Sequence, residues 1–71
     1  MNILIGDRFG ERFPSFVKGG SGKYMDTYKI VGFKDEAYGR FAKAICERSG
    51  DTVGIDIELL TDGVFYDKLN Q

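Results

Sequence analysis

The sequence predicts an α+β fold: a small, mostly antiparallel sheet of four or five strands with one helix packed on one face, in the order β-β-β-α-β-β. Three observations predict it. Residues 35–50 repeat their apolar side chains with a helical period, and residues 51–60 alternate them with a strand period. Gly-rich and Asp-Gly segments punctuate the chain between apolar runs, as turns do. A chain of 71 residues has room for a single domain, 1–71, and for no second core.

Taken in order, "NILI" at 2–5 reads as a short strand or the start of a bent one. "RFPSFVK" at 12–18 and "KYMDTYKIVGF" at 23–33 read as two arms of a hairpin across the Gly-rich "KGGSGK". Pro14 has no N–H to donate, which places the first arm at an edge or beside a bulge. In "DEAYGRFAKAICERSG", Ala37, Tyr38, Phe41, Ala44 and Ile45 fall within one third of a helical wheel. Glu36, Gly39, Arg40, Lys43 and Glu47 fill the opposite side, with Glu36 to Arg40 a favourable i,i+4 pair. Asp35 is placed to cap such a helix and Gly50 to end it in the left-handed conformation, while Gly39 costs it about 1 kcal/mol. In "DTVGIDIELL", Val53, Ile55, Ile57 and Leu59 form one side of a half-buried strand. A three-residue Thr61-Asp62-Gly63 loop, with Gly63 left-handed, would pair it with "VFYDKLN". That register sets Asp56 against Lys68, Leu59 against Phe65 and Ile55 against Leu69, and avoids opposing Glu58 to Asp67.

Composition bounds the function. One cysteine, Cys46, cannot close an internal disulfide and suits a reducing compartment. With no His there is no familiar zinc set, and no cofactor or metal is expected. The start "MNILIG" has neither a basic leader nor a long apolar run, and no stretch reaches the length of a membrane span, so a soluble cytoplasmic protein is expected. Charge is uneven along the chain. Residues 1–34 carry six Lys/Arg against three Asp/Glu, or +3; residues 35–71 carry four against eight, or −4.

Several motifs invite a chemistry they do not complete. "KGGSGKY" is no phosphate loop: the first Gly of that pattern should fall at Val17, and Tyr24 follows Lys23 where a Ser or Thr must meet magnesium. Cys46 lacks a His to activate it and reads as a packed or flanking thiol. Asp56, Glu58, Asp62 and Asp67 could supply an acid–base pair, but Asp56 and Glu58 read as a solvated strand face. An enzyme is therefore not expected.

The stretch "RFGERFPSFVKGGSGK", residues 8–23, is the candidate partner-binding surface. Its candidate residues are Arg8, Phe9, Arg12, Phe13, Phe16, Lys18 and Lys23, with Tyr24 beside them. The chain owns more aromatic rings than one helix on a small sheet can shelter, and aromatics with Arg make interface hot spots. The leading expectation is a small non-enzymatic protein-binding module, an inhibitor or regulator of a larger machine of the kind phages and mobile elements encode. The alternative is a binder of single-stranded RNA or DNA through the basic, aromatic N-terminal half. Such a platform needs aromatics and cations at i,i+2 spacing, where they share a strand face, and Phe16 with Lys18 comes nearest. A homodimer is compatible with either reading.

Overall fold

The computed structural model describes residues 3–13 and 24–69. Five strands and one short helix follow the order β-β-β-β-α-β: β1 (Arg8–Glu11), β2 (Asp26–Glu36), β3 (Gly39–Cys46), β4 (Thr52–Asp56), α1 (Ile57–Thr61) and β5 (Tyr66–Leu69). Every neighbouring pair is antiparallel, and the sheet order is β4-β3-β2-β1-β5. The α+β class and the small antiparallel sheet stand as the sequence predicts; the element order does not.

The largest correction concerns residues 35–50. They form the end of β2, a two-residue turn at Ala37–Tyr38, and β3, with Glu36 opposite Gly39. The segment also has a period of two. Ala42, Ala44 and Cys46 are buried, while Phe41, Lys43 and Ile45 point to the other face. Alanine favours a helix, but its small side chain also fits beneath a crossing element, and α1 lies against β3. Gly50 is left-handed (φ 79°) as expected, though it serves the β3–β4 turn instead of a helix end.

A second correction follows at residues 57–69. The strand alternation stops at Asp56, whose carboxylate accepts a hydrogen bond from the Glu58 amide (2.8 Å) and caps α1. Thr61 Oγ1 closes the far end by donating to the Ile57 carbonyl (3.0 Å). Gly63 is left-handed (φ 78°), as expected, but the chain beyond it does not return to β4. β5 pairs with β1, setting Phe9 against Lys68 and Arg8 against Leu69. The short helix thus carries the chain from one edge of the sheet to the other, touching β4, β3 and β5 on the way. Leu60, 2% exposed, is its contribution to the core.

The core lies on this helix-covered face. Phe9, Ile30, Ala42, Ala44, Ile55 and Leu60 form it, with Ile3, Tyr28, Phe33, Ile57 and Tyr66 packed around them. Tyr28 and Tyr66 meet edge to face, their centroids 6.2 Å apart. Burial, reinforced by Glu11 and its hydrogen bond from the phenol, pushes Tyr28 up to about 12. The fold therefore favours the neutral phenol. That stabilisation is complete below the unfolded value near ~10 and is lost as pH rises through about 12. A tyrosinate absorbance titration should show one phenol ionising only near about 12, and Tyr28→Phe should remove that step.

Upstream of β1, Ile3–Asp7 is a turn, not the expected strand. The Asp7 amide bonds the Leu4 carbonyl (3.0 Å), and Asp7 Oδ2 accepts from the Leu4 amide (2.9 Å). β1 itself, Arg8–Glu11, precedes the segment expected to pair with β2. Pro14 and the Gly-rich "KGGSGK" lie outside the described residues. In β2 the register shifts between Ile30 and Gly32, leaving Val31 as the bulged residue.

Candidate binding face

Strand alternation gives the sheet a second face, which α1 does not cover. Three rows of side chains cross it. Arg8, Lys29 and Ile45 form one, on β1, β2 and β3. Gly32, Lys43 and Gly54 form the next, on β2, β3 and β4. Lys34, Phe41 and Asp56 form the third. Two glycines flank Lys43, and a Cβ on Gly54 would meet nothing within 4 Å. The ammonium is open to solvent on this side.

At the hairpin tip Tyr38 is 81% exposed, and its ring meets Phe41 edge to face with centroids 5.7 Å apart. Lys34, Glu36, Tyr38, Phe41, Lys43 and Gly54 line an open groove of about 260 Å³. Phe41 and Lys43 are two residues apart on one strand, so they share this face: the platform spacing that the sequence argument required is here, at different residues.

Charge on this face is mixed but not fully neutralised. Arg8 holds Glu47 through two bonds (Nε to Oε2 2.9 Å, Nη2 to Oε1 2.7 Å), which keep the carboxylate below its usual value, with Lys29 adding to the effect. Lys34 pairs with Glu36 at 3.0 Å. Asp56 is engaged as a helix cap. Lys29 and Lys43 make no ion pair within 4.0 Å among the described residues, and both are exposed.

Farther along the same face, Tyr24 lies flat against Gly10 and donates from its hydroxyl to Asp67 Oδ2 (3.0 Å). Arg12 grips the same carboxylate with two nitrogens and holds it below the usual range, while the Tyr24 phenol is raised by its bond to Asp67. Gly10 is required here: a Cβ on it would stand 2.4 Å from Tyr24 Cγ. Gly10→Ala is expected to displace the ring and cost about 1–3 kcal/mol in a thermal melt. The same change in a Tyr24→Ala background should cost clearly less.

The candidate residues from the sequence are thus dispersed. Phe9 is wholly buried in the core and cannot touch a partner: its neighbours in the register are Tyr28 and Lys68, and it points inward with Tyr28. Arg8 and Arg12 do lie on the open face, committed to Glu47 and Asp67. Tyr24 joins the Arg12 cluster, and Phe13 is half-buried. Phe16, Lys18 and Lys23 lie outside the described residues. Lys29 and Lys34 are not site candidates in the sequence because their aromatic neighbours Tyr28 and Phe33 point to the opposite strand face, and the helical reading puts Tyr38 and Phe41 in the core stripe and Glu36 and Lys43 on the polar side. The period-two spacing of Phe41, Lys43 and Ile45 was the signal that could have found them.

Cys46 is buried on the core face of β3. Asp56 and Glu58 do not share a strand face, since one caps α1 and the other lies within it. No three His, Cys, Asp or Glu side chains gather as a metal site among the described residues, and no helix there is long and apolar enough to cross a membrane. No protein-family model matches the chain, and no curated protein or solved structure shows significant similarity to it.

Proposed function

We propose that this chain is a non-enzymatic binding module that takes single-stranded nucleic acid along the open face of its sheet, in a reducing, cytoplasmic compartment. The observation that carries the reading is that Phe41 and exposed Tyr38 share the open face with Lys43 and Lys29, two exposed cations with no ion pair within 4.0 Å among the described residues. Stacking on an aromatic ring contributes about 1–3 kcal/mol per base and tolerates any sequence, while lysines along the strand's path hold phosphates. A non-enzymatic role is supported by the use of the carboxylates. Asp56 caps a helix, Asp67 is held by Arg12 and Tyr24, and Glu47 by Arg8, so each is occupied in structure.

Fluorescence anisotropy with a labelled mixed-sequence oligonucleotide tests this. Affinity is expected to fall about tenfold between roughly 50 and 200 mM salt, as release of counterions from a few phosphates requires. No binding at the lower salt, or a flat response, overturns it.

A protein partner is the second reading, favoured by a separate observation. Leu59, Val64 and Phe65, around the connection from α1 to β5, are 40%, 59% and 51% exposed. Such a surface suits a small inhibitor or regulator of a larger machine of the phage or mobile-element kind. Affinity capture with and without nuclease separates the two: a stoichiometric protein that survives nuclease, and is lost with Phe65→Asp, favours this reading. β4 and β5 form the two edges of the sheet, where a second copy could add in a homodimer, and sedimentation at two concentrations reads that directly.

A further inference from the structure

We propose that the groove at the tip of the β2–β3 hairpin selects guanine, a reading that rests on the single-strand proposal above and names its preferred base. Lys34 and Glu36 are two residues apart on β2, share the open face, and both line the groove. Lys34 Nζ stands 3.0 Å from Glu36 Oε1. Together they present two carboxylate acceptors with an ammonium donor beside them.

Guanine alone matches that order. Its Watson–Crick edge runs from the N2 amino group through N1–H to the O6 carbonyl: donor, donor, acceptor. The Glu36 carboxylate can accept from N2 and N1 while Lys34 donates to O6. Adenine would turn the N1 lone pair toward the carboxylate. Cytosine offers one amino group and two acceptors, and uracil or thymine places a single N–H between two carbonyls. Single-stranded bases are read on this edge when a ring can stack on an aromatic side chain, and Tyr38 on the groove wall is 81% exposed. Lys43, which also lines the groove, is placed for the adjoining phosphate, and Lys29 lies farther along the face toward β1.

The test uses oligothymidine of one length, with its central position thymine, guanine, inosine or adenine, and measures anisotropy at fixed low salt. The guanine strand is expected to bind about tenfold tighter than all-thymidine, the gain typical of a good bidentate contact. Inosine, which lacks the N2 amino group, should fall between them, and adenine should gain nothing. Glu36→Gln should erase the guanine-to-thymidine ratio while the all-thymidine strand still binds, with an unchanged circular dichroism spectrum as the folding control. Free GMP should bind more weakly than the guanine strand, and equal affinity would overturn selection within a strand. Equal binding of all four strands, or a ratio that survives Glu36→Gln, overturns guanine selection and leaves the single-strand reading intact. Failure of every strand to bind overturns both.

Discussion

Phe9→Ala is expected to unfold the domain. Among the described residues, Phe9 and Ile30 are the two large side chains with no exposure at all, and Phe9 sits on β1 between β2 and β5. Truncating a buried Phe costs about 3–5 kcal/mol, from lost transfer energy and from the cavity left behind. A chain of this length has a total stability of roughly 4–10 kcal/mol, so most of the margin disappears. Both flanking strands feel the loss, because Tyr28 and Lys68 are its partners in the register. Denaturant melts followed by far-UV circular dichroism check it. Phe9→Leu, which keeps most of the volume, should remain folded with a lower midpoint. A Phe9→Ala protein that melts like the wild type would show that this ring is on the surface, where the aromatic surplus of the N-terminal stretch had placed it.

The second large effect is on binding. Lys29→Glu combined with Lys43→Glu should leave the fold unchanged, because both side chains are exposed and neither has an ion-pair partner among the described residues. Surface changes of this kind usually stay within ±0.5 kcal/mol of stability. Oligonucleotide affinity should nevertheless fall by at least about tenfold, and the slope of log affinity against log salt should shrink by roughly 1.4, two phosphate contacts at about 0.7 each for a single strand. Reversing Arg40 and Arg48 instead is the control. Arg40 lies over the Phe33 ring on the core face, and Arg48 is tied to Asp26, so neither change should alter the salt slope. If the Lys29 and Lys43 double variant binds as the wild type does, the open face is not where the strand lies.

The fold class was legible because it depends on quantities a local window contains. Gly50 and Gly63 are expected left-handed on steric grounds, and both adopt that conformation, though at other elements than the helix end and hairpin the sequence suggests. The segment 35–50 departs from the helical expectation for a reason equally physical. Phe41, Ala44 and Ile45 satisfy a helical stripe, while Ala42, Ala44 and Cys46 satisfy a strand face, and the two periods are both present in one segment. Gly39 was the discordant residue: a poor choice in mid-helix, it opens β3 just after the two-residue turn. The alternation of Val53 and Ile55 reads correctly as a strand and ends at the very next residue, where Asp56 caps α1.

The candidate face moved for the same cause. Once 35–50 is a hairpin, Lys43 and Phe41 share a surface with Lys29 and Lys34, which the helical reading keeps apart. Sequence by itself determined that this is a small domain with alternating strands, turn glycines, a lone thiol and a basic first half. Only the tertiary structure decided that β5 pairs with β1, that Phe9 faces inward, and which side of the sheet stays uncovered. Periodicity is a property of neighbours along the chain and says which residues share a face. Which face is buried depends on what distant segment packs there, and in this chain that segment is a helix of five residues ending in Leu60 and Thr61.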